Sequence, residues 1–147
     1  MKKPKKPIIL ASDHGGFELK EQIKNHLMGQ GYVVEDLGVK DDQPSDHPIF
    51  AKATAERVLQ HETLGILVCG TGIGMSIAAN RIRGIRAVVA HNETFAQLGR
   101  QHNNGNILCL AGRFLTPAEA ISITTTFLET PFLGGKYKAR ADMMDEL

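Results

Sequence analysis

Cys69 is followed by glycines at alternate positions, Gly70, Gly72 and Gly74, with Thr71 and Ser76 interleaved or just beyond. A thiol at the head of a glycine-rich turn suggests a particular chemistry. Glycine lets main-chain N–H groups approach an anion closely, and a helix that starts there adds the positive end of its dipole. The same groups stabilise a thiolate, which would make Cys69 a base or a nucleophile. The spacing is not the G-x-G-x-x-G of dinucleotide-binding turns, and no Gly-Lys-Ser/Thr closes it as a P-loop. A small cysteine closing an apolar strand also packs well as core. The residues alone leave both readings of Cys69 open. Cys109 leads into Leu110-Ala111-Gly112, without a donor-rich loop, and reads as core.

Other residues with chemical potential gather in short groups. Asp13-His14-Gly15-Gly16 offers an acid/base pair or a helix cap, and Asp46-His47 before Pro48 has the same two readings. His102 and Asn103 end a helical stretch that includes Arg100. A histidine there makes a favourable dipole contact or shuttles protons. Arg113, Lys136, Lys138 and Arg140 are scattered surface charge or a phosphate-binding set, since guanidinium forks match phosphate oxygens. No two of His14, His47, Cys69, His91 and His102 have the short spacing of a zinc-ligand pair, so no metal is expected.

These residues must be positioned by alternating strands and helices. Apolar runs at Ile8–Ala11, Tyr32–Leu37, Leu64–Cys69, Ile85–Ala90 and Asn106–Leu110 predict five strands. Helical spacing follows each one. Helices are expected over Phe17–Met28, ended by Gly29 and Gly31, and from Pro48 to His61. A third runs from Gly74 to about Arg83-Gly84. A fourth spans Asn92–His102, with Asn92 as N-cap and Phe95, Leu98 and Gly99 facing inward. Thr116-Pro117-Ala118-Glu119 is a capping box that opens a fifth, ending near Glu129. The remainder carries a charged helical pattern after Gly134-Gly135. The expectation is a three-layer α/β/α Rossmann-like domain, 1–147, with a five-stranded parallel sheet and a C-terminal helical extension. Ligands of such sheets bind at the carboxyl ends of strands, where Asp13, His14, Cys69–Ser76 and Arg113 fall.

The chain of 147 residues is 42% hydrophobic and 22% charged, with a formal net charge of +1. That balance gives no general case for nucleic acid or membrane binding, and 5% aromatics with no Trp leaves little for base stacking. No apolar run reaches the ~20 residues that span a bilayer. A cytoplasmic protein with reduced thiols is expected, with residues 1–6 as a flexible basic tail.

From Ile8 onward the chain resembles the family of type B ribose-5-phosphate isomerases and galactose-6-phosphate isomerase subunits. The resemblance rests on Ser12-Asp13-His14-Gly15-Gly16-Phe17, Asp46-His47-Pro48 and Cys69-Gly70-Thr71-Gly72-Ile73-Gly74-Met75-Ser76. It continues through Ala78-Ala79-Asn80-Arg81, Gly84-Ile85-Arg86-Ala87, Ala96-Gln97-Leu98 and Arg100-Gln101-His102-Asn103 to the Gly134–Arg140 tail. It implies an aldose–ketose isomerase acting on ribose 5-phosphate and ribulose 5-phosphate through a cis-enediolate. Cys69 would be the base, the amides from Gly70 to Gly74 the anion hole, and Thr71 an aid to proton transfer between oxygens. His102 would open the sugar ring, Asp13 and Asn103 would contact hydroxyls, and His14, Arg113, Lys136 and Arg140 would bind phosphate. Gly70, Gly72, Gly74 and Ser76 would line the substrate. The resemblance further implies a homodimer or homotetramer with sites shared between subunits, and no metal or cofactor. His47 stands where the family commonly has Tyr, Lys136 where Arg is frequent, and Tyr137 where His is frequent. A six-carbon phosphosugar isomerase and a non-catalytic sugar-phosphate binder are the alternatives.

Overall fold

The computed structural model describes residues 6–147. Five strands form one parallel sheet in the order β2-β1-β3-β5-β4. They are β1 (Ile8–Ser12), β2 (Val34–Asp36), β3 (Gly65–Cys69), β4 (Ala87–Val89) and β5 (Ile107–Ala111). The helices are α1 (Phe17–Gly29), α2 (His47–His61), α3 (Ile73–Asn80), α4 (Glu93–Asn103), α5 (Pro117–Glu129) and α6 (Lys136–Asp145). Among the described residues, no helix is long and apolar enough to cross a membrane.

The three central strands are buried on both faces, as their unbroken apolar runs require. Alternate residues feed two cores. Ile8, Leu10, Ile66, Val68, Leu108 and Leu110 pack against Ile23 and Leu27 of α1, Ala96 of α4 and Phe127 of α5. Ile9, Leu67, Cys69, Ile107 and Cys109 pack against Ala51, Ala55 and Val58 of α2 and Met75 and Ala79 of α3. Each fully buried Leu or Ile contributes about 2 kcal/mol relative to exposure. After β1 the chain crosses to β2 on one side, and β3 then takes the other side of β1. The sheet therefore reverses direction between β1 and β3, and it opens a crevice at their carboxyl ends.

The α/β/α expectation holds, with corrections in detail. The edge strands β2 and β4 are three residues each, shorter than their apolar runs, because each has a partner on one side only. α3 stops at Asn80, not near Arg83. The Asn80 amide is taken by Ala87, donating to its carbonyl at 3.0 Å and accepting its N–H at 2.7 Å, and this bridge leads into β4. Phe95 is 59% exposed, so the inner face of α4 is Ala96 and Gly99. Gly99 is pressed on Val88 so closely that a Cβ would meet its methyl groups at 2.8 Å, leaving no room for a ring on that face. α1 runs through Gly29 to a C-cap at Gln30, with Gly31 beyond it at φ +91. The capping box at Thr116 and Glu119 forms as expected. The basic tail lies outside the described residues except Lys6, whose Nζ donates to the Glu62 carbonyl at 3.1 Å.

Candidate active site

At the carboxyl end of β3, Cys69 is 5% exposed, and the Gly72 N–H donates to its Sγ at 3.1 Å. The sulfur thus carries a main-chain donor from the loop that follows it. The Ile73 N–H donates to Thr71 Oγ1 at 3.2 Å, so two loop amides are held by the loop itself. The amides of Gly70, Thr71 and Gly74 have no acceptor among the described residues. Together with the start of α3, they leave main-chain donors open in the turn that follows Cys69.

The three alternate glycines answer three different constraints. Gly72 has φ +78, in the left-handed region, and a Cβ there would also press on the Leu110 main chain at 3.1 Å. A Cβ on Gly70 would sit 3.1 Å from an Arg113 guanidinium nitrogen. One on Gly74 would sit 2.8 Å from His47 Nε2. The loop is thus roofed by a guanidinium on one side and an imidazole on the other. β5 brings Arg113 there: the Gly112 N–H donates to the Cys69 carbonyl at 2.7 Å and the Arg113 N–H to Gly70 at 3.1 Å.

β1 delivers Asp13 and His14 to the same crevice. Asp13 Oδ1 accepts the Gly15 N–H at 2.9 Å, so the capping reading is realised. His14 is joined to Ser45, whose Oγ accepts the His14 N–H at 3.0 Å and whose own N–H donates to His14 Nδ1 at 3.2 Å. Ser76, at 9% exposure, turns its hydroxyl back to the Ile73 carbonyl at 2.7 Å. Cys109 is wholly buried on the next strand. Burial, reinforced by Cys69, pushes its thiol far up, so it stays protonated. Its core reading holds, and both cysteines are free thiols.

His102, Asn103, Lys136 and Arg140 are elsewhere. His102 lies in the last turn of α4, four residues before Asn106, whose carbonyl accepts the N–H of Gly65 at the start of β3. It therefore lies at the amino end of the sheet, roughly 13 Å or more from Cys69 by the rise along β3. There its ring stacks on Tyr137 of α6, with centroids 4.4 Å apart and planes 10° apart. Lys136 Nζ lies 5.3 Å from the same Tyr137 ring. The Leu133 N–H donates to Gln101 at 3.2 Å, and Arg100 donates to Thr130 at 3.1 Å, which binds the α6 lead-in to α4. Asn103 lines a cleft of about 640 Å³ with Asn80, Arg81 and Met144. One chain therefore presents two clusters: thiol, amides, Asp13, His14 and Arg113 at one end, and His102, Asn103, Lys136 and Arg140 at the other.

Among the described residues, no three His, Cys, Asp or Glu side chains gather as a metal-ligand group. Ser45 was not singled out in the sequence because it sits in a polar loop without periodicity. His47 was singled out with Asp46 as an acid/base pair or a cap, and it opens α2 with its ring against Gly74.

The Ribose/Galactose Isomerase family model matches residues 8–144. The chain belongs to that family. A probable ribose-5-phosphate isomerase B of Mycoplasma genitalium is 44% identical over 138 residues, which cover 92% of this chain and 91% of the relative. The crystal structure of a Thermotoga maritima ribose 5-phosphate isomerase superposes with a TM-score of 0.95 at 48% identity, covering 98% of this chain and 100% of that one. The Mycoplasma genitalium ribose-5-phosphate isomerase B solved with bound ribulose-5-phosphate gives a TM-score of 0.91 at 42% identity, covering 95% and 94%. This chain therefore shares its five-stranded parallel sheet and flanking helices with those two solved structures.

Proposed function

We propose that this protein is a cytoplasmic, cofactor-free aldose–ketose isomerase that interconverts D-ribose 5-phosphate and D-ribulose 5-phosphate. The observation that carries the reading is the Gly72 N–H on Cys69 Sγ beside the open amides of Gly70, Thr71 and Gly74. Aldose–ketose exchange needs a base at the carbon next to the carbonyl, and donors where negative charge develops on oxygen. Family membership and the relative with bound ribulose-5-phosphate point to the same substrates.

The steps follow from these groups. Cys69 thiolate removes the C2 proton of the open-chain aldose. The C–H electron pair forms the C1–C2 double bond, and the carbonyl pair moves onto O1. The loop amides hold this cis-enediolate, and Thr71 helps the O2 proton move to O1. The Cys69 thiol then returns its proton to C1 as the C2 carbonyl forms. His14 and Arg113 hold the phosphate from one side, and Lys136 and Arg140 from the other. Asp13 and Asn103 contact hydroxyls, Gly70–Gly74 and Ser76 line the sugar, and His102 opens the furanose ring.

The two clusters of one chain are too far apart to serve one sugar, so the site needs a homodimer or a homotetramer built from it. α3 runs between the two ends and exposes Ile73 and Ile77, four residues apart, at 52% and 61%. A two-fold axis across the middle of α3 would set Cys69 of one copy against His102 of the other.

His47 supports a second reading. Its ring lies over Gly74 at the rim of the loop, where the room for the sugar is set, so a six-carbon phosphosugar is the rival substrate. A coupled assay on ribose 5-phosphate beside allose and galactose 6-phosphates tests both. Higher kcat/KM on the pentose is expected. Preference for a hexose would transfer the assignment, and phosphosugar binding with no turnover of any would make the protein a binder.

A further inference from the structure

We infer that Ser45 is a positioning residue for His14, fixing its imidazole as the tautomer that carries its proton on Nε2. Nδ1 accepts the Ser45 N–H at 3.2 Å, and a nitrogen that accepts must hold its lone pair free. The ring proton then sits on Nε2, across the ring from Ser45, as one N–H donor for a phosphate monoester. Ser45 also grips the histidine from the main chain, because its Oγ takes the His14 N–H at 3.0 Å and lies 3.5 Å from Nδ1. One residue thus sets both where the ring sits and which nitrogen donates.

Ser45 can do this because the segment that carries it is tied down at its far end. After β2, the Gly38 carbonyl accepts the Ser12 N–H at 2.8 Å and the Val39 N–H donates to Ser12 at 3.0 Å. Lys20, 1% exposed, donates at 2.8 Å to the Val39 carbonyl and to Asp36. The strap from Leu37 to Asp46 is therefore pinned to the end of β1 at one end and to His14 at the other. No sequence period marks Ser45, and a residue offering no side-chain acceptor would keep only half of the grip.

The inference rests on the reading of His14 as a phosphate ligand, and the experiment separates the two. Purified wild type, Ser45→Ala, Ser45→Thr and His14→Ala are compared by competitive inhibition with inorganic phosphate, by kcat and KM on ribose 5-phosphate, and by two-bond proton–nitrogen NMR of the His14 ring. The wild type should show His14 protonated on Nε2 alone at a pH above neutrality. Ser45→Ala should raise KM and the phosphate inhibition constant about five-fold, the loss of one hydrogen bond, with a smaller change in kcat. Ser45→Thr keeps both groups and should stay within about two-fold of the wild type. A wild-type His14 protonated on Nδ1 overturns the tautomer, and Ser45→Ala, which keeps the N–H on Nδ1 and loses only Oγ, overturns the positioning role if its phosphate inhibition is unchanged. Undiminished phosphate inhibition in His14→Ala would instead overturn the reading of His14 itself. The NMR measurement on the wild type decides the tautomer even where a variant folds poorly.

Discussion

Cys69 and Cys109 are the same residue type on neighbouring strands, and their surroundings make them different reagents. Sulfur at Cys69 receives a main-chain N–H at the mouth of the crevice. Sulfur at Cys109 is enclosed in the apolar core, and burial holds its proton on. Cys69→Ala should therefore remain folded, since it removes one sulfur from the edge of the core, yet lose roughly 10³-fold in kcat as a missing base. Circular dichroism and the isomerase assay read the two effects separately, and retained turnover would reassign the base. Gly74 yields a second expectation at this scale. Gly74→Ala places a methyl 2.8 Å from His47 Nε2, so the imidazole must move. KM and substrate preference should change more than stability, and the double variant Gly74→Ala with His47→Ala should recover part of the loss.

The helices and the strap act as brackets for these side chains. α4 holds His102 at its C-terminus and is capped at the other end by Asn92, whose Oδ1 accepts the Phe95 N–H at 2.9 Å. Asn92→Ala should cost about 1 kcal/mol and lower Tm by roughly 3 °C, with activity unchanged well below the transition. Ion pairs anchor β2 where the strap leaves it: Lys20 and Lys24 of α1 both reach Asp36, and both also reach Glu21. Burial opposes the Asp36 carboxylate, but donors from Lys20, Lys24 and the Gly38 N–H outweigh it and hold its pKa below the usual range. A carboxyl lowered in the folded state contributes stability above its unfolded value of about 4, and that stability is lost as pH falls through the folded value. Urea unfolding followed from neutral pH into the acid range should show this decline. In Asp36→Asn the acid limb should flatten, and stability at neutral pH should drop by about 1–3 kcal/mol, because buried Lys20 loses one of its two carboxylate partners and keeps Glu21 and the Val39 carbonyl.

For the whole molecule, the proposed function makes assembly part of the chemistry, since one chain carries Cys69 and His102 at opposite ends of its sheet. Cys69→Ala and His102→Ala should each be inactive alone. Mixed by unfolding and refolding together, half the dimers are hybrids, each with one intact site and one doubly altered site. About a quarter of the wild-type activity should return. No recovery, with hybrids demonstrated by mass, would mean that each chain supplies a complete site.

Much of this arrangement was legible in the chain because the signals are local. Apolar runs of strand length, the Thr116–Glu119 capping box and Asn92 before a helical pattern each carry their own geometry within a few residues. The glycine loop announced donors beside a thiol for the same reason, and the matching segments announced the family. What stayed hidden depended on partners distant in sequence. Phe95 turned outward because Val88 fills the space over Gly99. α3 ended early because Ala87 claimed the Asn80 amide. Ser45 met His14 across 31 positions of sequence. The sequence by itself determined the sheet, the order of its helices and the residue types able to move a proton or hold an anion. Only the tertiary structure decided that Cys69 receives an N–H while Cys109 is sealed, and that His102 stands at the opposite end of the sheet. Hydrogen bonding and burial depend on what the folded chain brings alongside a residue, and no local pattern encodes that.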